Sequence, residues 1–164
     1  MDSWPTKTLE KFSFSDMKSR IFTALDILYK NDSFLLGSNV HERSISHKFA
    51  EYLQQQFEGW HVDCEYNLHG IGTKRLPREC NGIRKEYVYP DIVIHHRNTN
   101  DNLLVIEIKP RASIEVNECD NAKLVEFTRL DGEYAYQAGL FIGFNGINQP
   151  QVIWYKDGKI QNEN

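Results

Sequence analysis

The chain has 164 residues, of which 40% are hydrophobic and 12% aromatic, enough to bury the core of one globular domain. No apolar run approaches the roughly 20 residues that cross a bilayer, so a membrane protein is not expected. The formal net charge of −4 argues against a protein whose whole surface coats nucleic acid. We therefore expect a single domain over residues 1–164.

Cysteine usage and the N-terminus indicate the compartment. Cys64, Cys80 and Cys119 are odd in number and widely spaced, which is typical neither of a zinc site nor of a disulfide framework. Residues 1–5 lack the basic start and the apolar stretch of a secretory signal. We therefore expect reduced thiols and a cytoplasmic location.

The N-terminal third of the chain is predicted to be helical. Residues 1–13 are expected to form a loose tail, and Ser15 to cap a first helix that ends near Lys30. A second helix is predicted from about Asn39 to Phe57, with Gly59 in a left-handed conformation after it. Apolar residues fall at helical spacing in both: Met17, Ile21, Leu25, Leu28 and Tyr29 in the first, and Ile45, Phe49, Tyr52, Leu53 and Phe57 in the second.

Strands are predicted in the middle of the chain. Residues 61–68 alternate polar and apolar side chains, which predicts a half-buried strand with Val62, Cys64, Tyr66 and Leu68 inward. Residues 69–86 lack periodicity and are expected to form a long basic loop. Two apolar runs, 87–96 and 103–109, flank a turn-forming segment and predict a β-hairpin.

The last third predicts a helix and two strands. The helix runs from Asn117 to Leu130, with Leu124, Phe127 and Leu130 inward. Residues 134–144 predict a strand beside the second arm of the hairpin, and residues 151–155 a closing edge strand. The order of helix, helix, three strands, helix and two strands indicates a mixed α/β (α+β) domain.

The predicted hairpin carries Asp91 on its first arm and Glu107 and Lys109 on its second. Side chains two apart on a strand share a face, so Glu107 and Lys109 project together. Two carboxylates and an ammonium on an apolar sheet are costly to desolvate unless they are paired or bound to a metal. A divalent-metal phosphodiesterase site has this composition. The alternative, a Glu107–Lys109 ion pair on a solvated sheet face, suits an edge strand, whereas the apolar density predicts a central one.

Pro90 and Asp91, followed by Glu107-Ile108-Lys109, resemble the motif of the PD-(D/E)XK nuclease superfamily, which includes restriction endonucleases and archaeal-type Holliday-junction resolvases. The resemblance covers roughly residues 38–145. It implies a restriction-endonuclease-like αβββαβ core, a central mixed sheet flanked by helices, here with one extra N-terminal helix. It also implies that Asp91, Glu107 and the main-chain carbonyl of Ile108 bind Mg²⁺, for which Mn²⁺ can substitute, with Lys109 as a catalytic residue.

Glu42 is a candidate fourth catalytic residue and metal ligand. In several branches of the superfamily a helix Glu completes the metal site, and Glu42 matches by order and by its place on the buried stripe of the second helix. The alternative is a capping box with Asn39, in which the Glu42 side chain bonds back to the cap N–H. Glu65, on the polar face of the first strand, is a weaker candidate for the same place.

The expected function is that of a Mg²⁺-dependent endonuclease acting on DNA in repair, recombination or defence. The side chains expected to contact phosphate are Lys74, Arg75, Arg78, Arg84, Lys85, Arg111 and Lys123. A merely solvated basic loop is the alternative for residues 74–85. Resolvase-like members act as two-fold dimers, so the resemblance also implies a homodimer. The competing functions are a catalytically inactive nucleic-acid-binding or protein-binding module on the same fold, such as an immunity factor.

Overall fold

Helices cover both faces of a six-stranded mixed sheet in the computed structural model, which describes residues 12–38, 40–66, 68–69, 72–73, 89–110 and 116–162. The described helices are α1 (Phe14–Asn31), α2 (Ser33–Gly37), α3 (Glu42–Gln56) and α4 (Glu118–Thr128). The described strands are β1 (His61–Cys64), β2 (Leu68–His69), β3 (Gly72–Thr73), β4 (Ile92–His95), β5 (Asn102–Lys109), β6 (Ala138–Asn145), β7 (Asn148–Lys156) and β8 (Lys159–Gln161). The predicted mixed class is confirmed. Apart from β2 and β3, which lie between β1 and β4, the elements from α3 to β6 have the order αβββαβ.

The main sheet has the strand order β1-β4-β5-β6-β7-β8, and β2 pairs with β3 in a separate two-stranded hairpin. The predicted hairpin is the antiparallel pair β4–β5, in which Ile92 stands opposite Ile106. β5 and β6 run parallel, and α4 connects them. Every residue of β5 except Lys109 is buried, as expected of a central strand covered on both faces.

The two faces of the sheet bury different cores. Leu104, Ile106 and Ile108 of β5 pack into the core beneath α1 and α3. Val105, between them in sequence, packs into the second core beneath α4. Because side chains alternate along a strand, Glu107 and Lys109 share the α4 face with Val105. The prediction that Glu107 and Lys109 face away from Leu104, Ile106 and Ile108 is therefore confirmed.

The first helix begins earlier than predicted. Ser13, not Ser15, is its N-cap, and the Ser13 side chain accepts a 3.0 Å hydrogen bond from the N–H of Asp16. Phe12 packs edge-on against Phe57 at a ring distance of 5.6 Å. The predicted loose tail is therefore wrong for Phe12 and Ser13, since aromatic packing holds them, and its remainder lies outside the described residues.

Two buried faces were predicted incorrectly because their elements end early. β1 ends at Cys64, and the next residue, Glu65, has a left-handed φ of 51°. Cys64 is exposed and not inward as predicted, whereas Tyr66 does pack inward, into the core beneath α4. The fourth helix ends at Thr128, and Leu130 beyond it is 75% exposed. The closing strand is also misassigned, since β7 pairs on both sides and β8 forms the edge.

Cysteine chemistry departs from the expectation of reduced thiols. Cys119, in the first turn of α4, is disulfide-bonded, whereas Cys64 is free. The prediction was wrong for Cys119 because spacing along the chain does not give distance in the fold. Disulfides persist mainly in oxidising compartments, so the cytoplasmic location stays a prediction. In the described part of the chain, no helix has the length and apolar character needed to span a bilayer.

Candidate metal centre

Asp91 and Glu107 meet where β4 begins and β5 ends. Asp91 directly precedes β4, and the register that sets Ile92 opposite Ile106 brings it level with Glu107. The backbone N–H of Ile108 donates a 2.6 Å hydrogen bond to Oδ2 of Asp91. Glu107 is only 2% exposed. The hairpin therefore places both predicted carboxylates at one end of the central strand.

The first half of α4 adds two side chains to these carboxylates. Lys123 Nζ lies 3.1 Å from Glu107 Oε2 and 3.5 Å from Asp120 Oδ1. Lys109 Nζ lies 3.5 Å from the other oxygen of Asp120, and the Lys109 side chain remains 40% exposed. The two lysines are thus held apart by one buried carboxylate, and Glu107 pairs with Lys123 in place of Lys109.

Glu42 completes the cluster from the other side of the sheet. α3 begins at Glu42 itself, with His41 as N-cap and no side-chain bond to the cap. The capping-box alternative is therefore wrong: Glu42 stands at the first helical position rather than the third, and Asn39 lies outside the described residues. The Glu42 side chain instead lies beside Asp91, and the two carboxyl groups interact.

The pKa values of three of these carboxyl groups are raised. Burial, and then the charge of Asp91, raise the pKa of Glu107 to about 8. Burial, followed by the charge and the hydrogen bond of Asp91, raises the pKa of Glu42 to about 7. Burial also raises the pKa of Asp91, although the N–H of Ile108 works against it. Burial is thus the main cause of all three shifts, and the repulsion between neighbouring carboxylates adds to it for Glu42 and Glu107.

A cleft of about 140 Å³ opens beside Glu42 and Asp91. At about 30 Å³ per water molecule, it has room for several waters together with a small cation. Arg43 and Glu65 border the cleft and form a 3.0 Å ion pair. Glu65 therefore lies near Glu42, but its carboxylate is paired with a cation outside the carboxylate cluster.

The donor set fits a hard divalent cation. Among the described residues, Glu107 Oε1 is a buried atom without a hydrogen-bond partner, which is costly unless another species satisfies it. Asp120 Oδ2 also lacks a hydrogen bond there, but it forms an ion pair with Lys109. Carboxylate and carbonyl oxygens are the ligands that Mg²⁺ prefers, and Mg²⁺ needs only one or two carboxylates because it retains waters. Within the described ranges, no three His, Cys, Asp or Glu side chains form a ready-made metal cage. Asp91, Glu107 and the carbonyl of Ile108 could supply the ligands of a minimal site, which stays a prediction.

Comparison with family models, with curated proteins and with solved structures found no match to this chain. The resemblance to the PD-(D/E)XK superfamily consequently stays a prediction that rests on the quoted motif.

The remaining predicted residues divide into two groups. Lys74, Arg75, Arg78, Arg84, Lys85 and Arg111 lie outside the described residues. Lys123 is described, but its side chain is only 14% exposed and contacts Glu107 and Asp120, so its predicted contact with phosphate stays untested. Burial lowers the pKa of Lys123, but Glu107 and Asp120 outweigh burial and raise it, which keeps the amine charged.

Sequence reasoning missed Asp120 as a member of the cluster. Asp120 lies in the first turn of α4, where its N–H is capped by Asn117 and where an acidic side chain is favourable for helix stability alone. The sequence feature that could have indicated it is the spacing of Asp120 and Lys123, which lie three residues apart and therefore share one face of the helix. That spacing alone does not show which strand the face covers.

Proposed function

We propose that this chain is a divalent-metal-dependent nuclease that hydrolyses phosphodiester bonds, with DNA as its substrate. The observation that carries the proposal is the pair of half-buried Asp91 and buried Glu107, in which Glu107 Oε1 has no hydrogen-bond partner among the described residues. As a purely structural feature, two neighbouring carboxylates would be destabilising, because burial penalises their charged forms and they repel each other, even though Lys123 pairs with Glu107. A cation-binding role gives a physical reason for keeping both acids.

Asp91, Glu107 and the carbonyl of Ile108 would hold Mg²⁺ or Mn²⁺, with Glu42 as a further ligand through its contact with Asp91. When bound, the cation supplies neutralisation of the phosphate charge and a lowered pKa for the attacking water. Ile108 keeps Asp91 oriented through the 2.6 Å hydrogen bond from its N–H. Such pre-positioning of ligands reduces the reorganisation that the reaction requires.

Lys109 is the catalytic lysine in this proposal. It is the half-exposed cation of the cluster, and its ammonium is tethered to Asp120 at 3.5 Å rather than to Glu107. From this position it is available to a substrate phosphate or to an attacking water, whereas Lys123 is largely enclosed. Lys109 would orient the water or offset negative charge as the bond breaks.

The assignment to DNA, and to an endonuclease, rests on the superfamily resemblance and not on a groove or a basic surface of the described residues. The net charge of −4 means that substrate binding has to depend on local positive potential. A catalytically inactive binding module on this fold is the competing function. It has no need to take up a cation at Asp91 and Glu107.

The test is cleavage of labelled nucleic acids by the purified protein with Mg²⁺ or Mn²⁺. The substrates are plasmid, linear duplex, single-stranded DNA, a four-way junction and RNA. Glu107→Gln keeps the side-chain volume and should abolish cutting, whereas Asp131→Asn changes an exposed carboxylate paired with Arg129 and should cut normally. Cutting that survives chelation or Glu107→Gln would refute the proposal. An uncut panel, together with no Mn²⁺ uptake in calorimetry, would favour the inactive module.

A further inference from the structure

Lys123 occupies an unusual place for a lysine, between two buried carboxylates. Its ammonium lies 3.1 Å from Glu107 Oε2 and 3.5 Å from Asp120 Oδ1. Both acids are only 2% exposed, and the lysine side chain is 14% exposed. Lys123 thus contacts one oxygen of Glu107, and the other, Oε1, has no hydrogen-bond partner in the part of the chain that the structure describes.

The charges of the cluster limit the number of metal ions that it can hold. Metal binding requires ionised ligands, so the count takes all four carboxyl groups as charged. Four carboxylates (Glu42, Asp91, Glu107 and Asp120) then face two ammonium groups (Lys109 and Lys123), which gives the cluster a net charge of −2. One divalent cation neutralises this charge. A second divalent cation would leave a net charge of +2 in a largely enclosed site, which is unfavourable.

Two-metal phosphodiesterase sites hold ions about 3.5–4 Å apart that share a carboxylate ligand. Here the second oxygen of the best candidate for a shared ligand, Glu107, is already taken by an ammonium. We propose that Lys123 occupies the place of a second metal ion, so that the centre binds a single divalent cation. The inference rests on the proposed function, because it assumes that Asp91 and Glu107 bind a metal.

The experiment counts bound Mn²⁺ by electron paramagnetic resonance of the free ion, on the full chain. Ions that remain bound to the double variant Asp91→Asn, Glu107→Gln belong to the surface and are subtracted. The test variants are Lys123→Gln and Lys123→Met, which remove the charge and keep most of the side-chain volume. The control is Lys48→Gln, which removes the same charge from an exposed pair with Glu51.

We expect one Mn²⁺ per chain for the wild type and for Lys48→Gln, and two for whichever Lys123 variant folds. Two ions in the wild type would overturn this inference and leave the proposed function standing. A count of one in a folded Lys123 variant would overturn the role given to Lys123. No site-bound Mn²⁺ in the wild type would refute the metal of the proposed function and this inference with it.

Discussion

The backbone N–H of Ile108 in β5 donates a 2.6 Å hydrogen bond to Oδ2 of Asp91, which directly precedes β4. This bond ties the first acid of the motif to the strand that carries the second. Asp91 is thereby held level with Glu107 before any ligand binds. The hairpin therefore sets the orientation of the two carboxylates, whereas their burial and the neighbouring charged side chains set their charge state.

Asp91→Asn separates these two contributions. The amide oxygen of Asn can still accept the hydrogen bond from Ile108, so the fold should be kept while the ligand charge is lost. Removing a side chain that only hydrogen-bonds to a metal ligand lowers metal affinity or activity by about 10–100-fold. Replacing the ligand Asp91 itself should therefore lower the cleavage rate by at least about 100-fold. Calorimetry with Mn²⁺ and a cleavage assay measure both effects, and unchanged Mn²⁺ affinity would remove Asp91 from the site.

Lys109→Gln should act on the chemical step and not on metal binding. Lys109 contacts Asp120 at 3.5 Å, and the ligands Asp91 and Glu107 keep their own hydrogen bonds without it. We expect kcat to fall by a factor of about 100 to 10,000, as for loss of a general acid or base. The KM for DNA and the Mn²⁺ stoichiometry should stay close to those of the wild type. A variant with normal kcat would show that Lys109 is only a surface cation.

The metal-free protein should lose stability as pH rises through the range of its raised carboxyl pKa values. The folded pKa of Glu107 is about 8, against an ordinary value of 4.5, so its stabilising contribution is complete below pH 4.5 and is lost as pH rises through 8. Glu107→Gln removes this titration. Urea unfolding should therefore show a smaller change in unfolding free energy between pH 5 and pH 8 than in the wild type. The control Glu118→Gln, at an exposed position of α4, should retain the wild-type slope.

Asp63 should show the opposite dependence on pH. Burial would raise its pKa, but hydrogen bonds from Arg97 and His95 outweigh burial and hold the pKa below the ordinary 3.8. Its contribution is present at neutral pH and is lost as pH falls through the lowered folded pKa. Asp63→Asn should reduce the unfolding free energy at pH 7 by roughly 1–3 kcal/mol, since hydrogen bonds to a charged group are lost.

The matched control for Asp63→Asn is Asp131→Asn, in an exposed pair with Arg129. This change should alter the unfolding free energy by less than about 1 kcal/mol, as is typical of surface pairs. Equal effects of the two substitutions in urea unfolding at pH 7 would contradict the role given to the buried pair of Asp63 with His95.

Packing of α4 on the sheet can be tested at Gly139 of β6. A Cβ at this position would lie 2.9 Å from Cγ2 of Thr128, whose hydroxyl is fixed by a 2.7 Å hydrogen bond to the carbonyl of Leu124. Gly139→Ala should therefore cost roughly 1–3 kcal/mol of unfolding free energy through overpacking. Gly37→Ala, whose Cβ would meet its nearest atom at 3.5 Å, should cost little. Equal stabilities in urea unfolding would show that α4 moves freely on β6.

Local patterns in the sequence were sufficient for the hairpin and the carboxylates on it. The alternation of side chains along a strand predicted that Glu107 would lie opposite in direction to Ile106 and Ile108, and the turn between the runs predicted the β4–β5 pair. These features depend on neighbours within a few residues. The same holds for the helical stripes of α1 and α3, whose period follows from backbone geometry.

Only the tertiary structure decided which side chains surround those carboxylates. Lys123 and Asp120 reach β5 because α4 packs on the face that carries Glu107. Glu42 lies beside Asp91 because α3 begins at Glu42 and not at Asn39. Such contacts join residues far apart in sequence, and the helix packing that creates them depends on the whole core. The sequence by itself therefore determined the acids of the site, whereas the packing of α3 and α4 determined their partners and hence their charge.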